Sequence, residues 1–149
     1  MAVKHVSVTE AHALQQEGAV YIDVRSTDEY LSGHPAGALS VPLLDADPDT
    51  GQMMPNPDFV QVMQANFPSD AKLLIGCQVG GRSQRAAQML DAFGFTDVSN
   101  VRGGYAGLRD RMSGRMVEPG WAESGLPEES DAPTGRTYAD LLAKVDASR

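Results

Sequence analysis

Short apolar runs alternate along this chain with segments whose apolar residues recur at helical spacing. Ala19-Val20-Tyr21-Ile22-Asp23-Val24 and Lys72-Leu73-Leu74-Ile75 are nearly unbroken runs rich in β-formers. Such runs suit strands covered on both faces, as in a parallel sheet. Ala38-Leu39-Ser40-Val41, stopped by Pro42, and Val98-Ser99-Asn100-Val101 read as two further short strands. His34 precedes Pro35, which biases it to an extended conformation. Ser7-Val8-Thr9-Glu10 and Ser26-Thr27-Asp28-Glu29 are capping boxes, in which hydroxyl and carboxylate satisfy each other's backbone donors. The first predicts a helix through Leu14 that ends near Gly18. The second predicts a short helix over Tyr30 and Leu31 that ends at Gly33.

Two longer helices are expected over residues 58–67, with Phe59, Val62, Met63 and Phe67 on one face, and over residues 82–93. Ala86, Ala87, Met89, Leu90 and Phe93 form the stripe of the second, and Gly94 its stop. Asp45 to Pro57 reads as a loop of turn-forming residues, and a short helix is expected near Ala106–Leu108. Met53 and Met54 in that loop either cover the pocket around Cys77 or fill gaps. From Pro119 to Gly135 the chain is polar and rich in Pro and Gly, as in a linker or a segment hugging the surface. A final amphipathic helix, with Tyr138, Leu141, Leu142 and Val145 at helical spacing, serves as a dimer contact or docks on its own domain. The alternation of strands and helices predicts an α/β architecture around a mainly parallel sheet.

At 149 residues the chain fits one domain with a core that needs no disulfide or structural metal. The net charge of −8 argues against nucleic acid or an anionic membrane surface as a partner, while leaving room for a small anion at a local site. No apolar run is long enough to span a bilayer, and no secretory signal is read at the N-terminus. The single cysteine, Cys77, excludes an internal disulfide, a Cys-x-x-Cys pair and a multi-cysteine zinc site. His5, His12 and His34 are too irregularly spaced for a metal site. A lone thiol suits a reducing compartment, so a cytoplasmic location is expected.

The chemistry concentrates in Cys77-Gln78-Val79-Gly80-Gly81-Arg82-Ser83, between a buried strand and a helix. Ligands of open α/β sheets bind at the carboxyl ends of strands, where this loop falls. Gly80 and Gly81 let it curl and turn backbone N–H groups inward, and the following helix adds the positive end of its dipole. A thiol in such a nest should exist largely as thiolate, and the same donors would hold a persulfide or an attached oxyanion. Arg82 is the one fixed cation of the loop and suits a planar, multi-oxygen anion.

Four segments in register resemble the rhodanese family. They are Asp23-Val24-Arg25 with Glu29-Tyr30; Gly33-His34 with Gly37-Ala38 and Val41-Pro42; the loop Cys77 to Ser83; and Val101-Arg102-Gly103-Gly104. The resemblance covers roughly residues 5 to 112. It implies the rhodanese fold, a central, mostly parallel five-stranded sheet flanked by helices. Residues 1–118 would then be the rhodanese-like domain, and 119–149 a polar linker with a C-terminal helix docked on it. It also implies that Cys77 takes sulfur from a donor such as thiosulfate and passes it, as a persulfide, to cyanide, a small thiol or a protein thiol. No cofactor or metal is called for, and either a monomer or a homodimer is expected. Val79 and Gly81 leave the loop less cationic than in members tuned for thiosulfate. Pro35-Ala36 and Gly107-Leu108 also depart from the family's usual residues.

The supporting residues have plainer readings. Arg25 pairs with Glu29 or braces the cysteine loop from below; a substrate contact is the alternative. Asp23 accepts hydrogen bonds from backbone or Arg. His34 orients or caps, with general-base catalysis as the alternative. Two other functions compete with sulfur transfer. A cysteine phosphatase or arsenate reductase needs Cys-x5-Arg, and here Arg82 comes one residue too early. A module that carries sulfur slowly for one partner, or binds without turnover, would have the same sequence.

Overall fold

A computed structural model describes residues 3–78, 81–110, 112–131 and 134–147. Val79 and Gly80 of the cysteine loop lie outside the described residues, and of Gly81 only the backbone is described. In chain order the elements are β1 (Lys4–Val6), α1 (Val8–Gln16), β2 (Val20–Asp23), α2 (Thr27–Ser32), β3 (His34–Pro35), β4 (Leu39–Ser40), β5 (Leu44–Ala46) and β6 (Met53–Pro55). There follow α3 (Phe59–Asn66), β7 (Lys72–Gly76), α4 (Gly81–Ala92), β8 (Asp97–Val101), β9 (Leu108–Arg109), β10 (Met116–Glu118), β11 (Glu128–Glu129) and α5 (Tyr138–Ala147).

The central sheet has five strands in the order β1-β8-β7-β2-β4, every neighbouring pair parallel. The apolar runs become its central strands because both faces are covered. Strand alternation splits their side chains between two cores. Ile22, Leu73 and Ile75 pack with Val62 and Met63 of α3, Ala86 and Leu90 of α4, and Leu141 and Val145 of α5. Tyr21 and Leu74 face the other way, onto Val8 and Ala11 of α1 and onto Trp121. Both capping boxes are present as read, with Ser7 and Ser26 as the N-caps.

Three expectations are corrected. Phe93 is 58% exposed, and Phe95, 3% exposed, takes the core position instead. The helix has already ended at Ala92, and Gly94 at φ +98° turns the chain so that the Phe95 N–H bonds back to Leu90. The short helix near Ala106–Leu108 is replaced by a turn and by β9, which pairs antiparallel with β10. Positive φ at Gly103, Gly104 and Gly107 is incompatible with a helix there. The loop from Asp45 to Pro57 contains a hairpin, β5 with β6, that pairs Asp45 with Met54 and Ala46 with Met53. Its exposed face carries no apolar alternation from which a strand could be read, and both methionines are about half exposed. Of the two readings of Arg25, the structure has the brace on the cysteine loop and not the pair with Glu29.

The stretch after Pro119 packs against the body. Trp121 is wholly buried, edge-on to Tyr21 at 5.4 Å, and its indole N–H donates to Pro127 O at 2.7 Å. β11 pairs with β3, placing Glu129 opposite His34. α5 closes the first core with Leu141 and Val145, and Asn66 Nδ2 of α3 donates to Leu141 O at 2.9 Å. No described helix is long and apolar enough to cross a membrane.

Candidate active site

Cys77 follows the last residue of β7, and α4 starts four residues later at Gly81. The strand thus delivers the thiol to the carboxyl end of the sheet. The loop that carries it is held by the chain after β8. The Tyr105 N–H donates to Cys77 O at 2.7 Å and the Ala106 N–H to Gln78 O at 2.9 Å. Gly104 makes this approach possible. It has φ +58°, and a Cβ there would lie 2.9 Å from Gln78 O and nearer still to Cys77 O. The Gly-Gly turn therefore clamps the cysteine loop.

The thiol is 1% exposed. Its Sγ donates to Ser83 Oγ at 3.4 Å, in the first turn of α4. Ser83, also buried, donates to Asn100 Oδ1 at 2.6 Å. Asn100 in β8 donates in turn through Nδ2 to His5 Nδ1 of β1 at 3.2 Å. Since an amide NH2 only donates, that imidazole nitrogen carries a lone pair in this arrangement. Neither Asn100 nor His5 was singled out from the sequence. The available signal was a Ser-Asn pair inside a short strand expected to be buried, a position that demands a hydrogen-bonding reason.

Arg25 is buried and forms a bidentate pair with Asp23, Nη2 to Oδ2 at 2.8 Å and Nε to Oδ1 at 3.0 Å. Asp23 Oδ1 also accepts the Arg25 backbone N–H at 3.0 Å, so the carboxylate two residues upstream meets both ends of the arginine at once. That local fit is why Asp23, and not Glu29, is its partner. Arg25 Nη1 donates to Gln78 Oε1 at 3.1 Å and its guanidinium lies 4.6 Å above the Tyr105 ring. The arginine therefore braces the cysteine loop.

Glu29 goes to Arg82 instead. Arg82 Nη1 and Nη2 donate to Glu29 Oε1 and Oε2 at 2.8 and 3.1 Å, a fork on a fork. The hydrogen bond from Arg82, helped by the Ser26 backbone N–H, holds the Glu29 carboxyl down at about 2. Arg82 thus lies in the first turn of α4, but its guanidinium is engaged by the carboxylate that also caps α2. His34 is buried, stacked on Tyr30 at 3.7 Å, with Nδ1 on Tyr30 O and Nε2 on Glu129 at 3.1 Å. These contacts tie α2, β3 and β11 together and involve none of the cysteine-loop residues.

The arrangement places a buried thiol at the end of a central strand, a hydroxyl against it, and an ion-paired arginine in the first turn of the helix that follows. Comparison with known proteins points the same way. The model of the Rhodanese-like domain matches residues 7–111. Thiosulfate sulfurtransferase 16, chloroplastic, of Arabidopsis thaliana is 37% identical over 125 residues, which cover 84% of this chain and 92% of that protein. The thiosulfate sulfurtransferase GlpE of Pseudomonas entomophila is 32% identical, over 77% of this chain and 93% of that protein. Among solved structures, Rv0390 from M. tuberculosis superposes with a TM-score of 0.70 at 25% identity, over 87% of this chain and 98% of that one.

Proposed function

The chain belongs to the rhodanese-like domain family, and on that premise we propose that it is a sulfurtransferase whose Cys77 carries sulfur as a persulfide. The observation that carries this reading is the position of Cys77. The thiol stands between the end of β7 and the start of α4, in hydrogen-bond contact with Ser83. The names of the two sulfurtransferase relatives support it.

In the first step the Cys77 thiolate attacks the outer sulfur of thiosulfate or a similar sulfane donor. A Cys77 S–S bond forms, the donor's S–S bond breaks, and sulfite leaves with the electron pair. In the second step cyanide or a thiolate attacks the outer persulfide sulfur, and the Cys77 thiolate is regenerated. This is covalent catalysis in two displacements with no net redox change. In this proposal the backbone N–H groups of Gln78, Val79, Gly80 and Gly81 and the N-terminus of α4 stabilise the anions. Ser83 hydrogen-bonds the sulfur, while Arg25 and Asp23 hold the loop. A reducing compartment such as the cytoplasm suits a single thiol that must stay reduced.

Intact-mass measurement tests the reading. Thiosulfate should add the mass of one sulfur atom, excess small thiol should remove it, and Cys77→Ser should abolish both. A wild-type protein that gains no sulfur from thiosulfate, mercaptopyruvate or a small persulfide refutes it.

One observation favours a second reading, a slow carrier that serves one partner thiol. The loop's fixed cation, Arg82, is already matched by Glu29, which weakens the pull on a dianionic donor. Stoichiometric loading without thiosulfate:cyanide turnover identifies the carrier; multiple turnover excludes it.

A further inference from the structure

The Ser83 hydroxyl has a single proton, and among the described residues Cys77 and Asn100 both face it. In the structure that proton is aimed at Asn100 Oδ1, 2.6 Å away, while the Cys77 thiol donates to Ser83 Oγ. This arrangement satisfies a protonated cysteine. A thiolate, in contrast, can only accept, and Ser83 can serve it only by turning its proton toward Sγ. Ser83 Oγ and Asn100 Oδ1 would then face each other as two acceptors, both side chains buried. An unsatisfied contact of that kind is costly away from water.

We propose, resting on the reading of Cys77 as the nucleophile, that Asn100 is a positioning residue whose amide turns over when Cys77 ionises. Rotation by half a turn places Nδ2 against Ser83 Oγ as donor and Oδ1 against His5. The two orientations of a carboxamide have nearly the same shape, so the core need not repack. His5 completes the exchange. It accepts at Nδ1 in the first orientation and presents a proton at Nδ1 in the second. Its exposure on the edge strand β1 lets solvent exchange that proton. Among the natural residues of this volume, Asp accepts on both sides and Leu on neither, so only Asn serves both protonation states of the sulfur.

The test reads thiol reactivity with iodoacetamide, which needs no sulfurtransferase activity because Cys77 is the only cysteine. Asn100→Asp keeps the Ser83 proton fixed away from sulfur and should slow alkylation by about tenfold or more, the loss of one charge-assisted hydrogen bond. Asn100→Ala frees the proton and should change the rate by less than about twofold. In a Ser83→Ala background the penalty of Asn100→Asp should shrink to less than about threefold, the part that charge alone contributes. Equal penalties with and without Ser83, or a larger loss in the Ala variant than in the Asp variant, overturn the proposal.

Should the Asp variant not fold, the wild-type protein gives the answer by NMR. The Asn100 Nδ2 protons should show contacts to the His5 ring in the thiol form and to Ser83 in the thiolate form. An unchanged contact pattern refutes the flip. Failure to load sulfur would remove the sulfurtransferase reading while leaving both measurements decisive for Asn100.

Discussion

Gly104→Ala isolates the clamp on the cysteine loop. Two costs are expected. An L-residue at φ +58° is in the left-handed region, which costs about 1–2 kcal/mol. The second cost is steric. The added Cβ would lie 2.9 Å from Gln78 O and closer to Cys77 O, whereas ordinary contact begins at 3.4 Å. Both obstacles are backbone atoms, so no side chain can swing aside. The loop must withdraw by at least 0.5 Å, the difference between those two values. Withdrawal stretches the hydrogen bonds from Tyr105 N to Cys77 O and from Ala106 N to Gln78 O, each contributing about 1 kcal/mol. The total loss should be about 3 kcal/mol.

Gly114→Ala is the internal control. It has φ +73° and nothing within 4 Å of the added carbon, so it should cost only the conformational part, about 1–2 kcal/mol. Urea denaturation of both variants measures the difference. Sulfur loading of the folded Gly104→Ala protein should also slow by about ten- to a hundred-fold, because the nucleophile is displaced. Equal stability losses in the two variants would show that close approach is not what reserves position 104 for glycine.

Trp121→Ala should cost about 3–5 kcal/mol by thermal or urea denaturation, since it empties a wholly buried site beside Tyr21. A chain cut after Glu118 loses that tryptophan together with Leu141 and Val145 of α5, and should be destabilised further by the same measurement. Glu29→Gln should tighten binding of thiosulfate by releasing Arg82; an unchanged dissociation constant would mean that Arg82 does not meet the donor. The same pair predicts a pH signature. Glu29 is held at about 2 against an ordinary 4.5, so its contribution is full above 4.5 and is lost as pH falls from there through 2. Both side chains are partly exposed, which limits it to about 1 kcal/mol. Acid titration of stability should show this loss in wild type and not in Glu29→Gln.

What could be read from the sequence was local. The capping boxes at Ser7–Glu10 and Ser26–Glu29 lie within one helical turn, and both are present in the structure. The central strands β2 and β7 announced themselves as apolar runs, and the cysteine loop by its glycines between a strand and a helix, whereas β1, the polar edge strand Lys4–Val6, was not read as a strand. Their assembly into a five-stranded parallel sheet flanked by helices is as expected. What escaped was set by contacts distant in sequence. Glu29 meets Arg82 across 53 positions, and Asn100 meets His5 across 95. Neither pair has a local signature. Trp121 escaped for the opposite reason, because the Pro, Gly and Glu around it mimic a tether. Phe93 shows where periodicity fails: the stripe continues on paper beyond the residue at which Gly94 ends the helix.

The charges tied to the loop bear directly on how it would meet a donor. Among the described residues, two cations and two anions are linked to it: Arg25 with Asp23, and Arg82 with Glu29. Each pair cancels, so an anionic donor meets no net positive field from them, and a protein carrying −8 adds none at long range. The two pairs nonetheless differ in kind. Arg25–Asp23 is buried, and separating it would strand a charge away from water, which is strongly unfavourable. That pair can only be scaffold. Arg82–Glu29 is partly exposed, and an exposed pair is worth about 1 kcal/mol or less. On the proposed function, a thiosulfate oxygen would replace Glu29 on Arg82 at little cost, while Glu29 would keep the Ser26 N–H and hydroxyl as partners. On that reading, the exchange would give the site a cation that is satisfied when empty and available when a donor arrives, and donor affinity would then be governed by how readily Glu29 lets go.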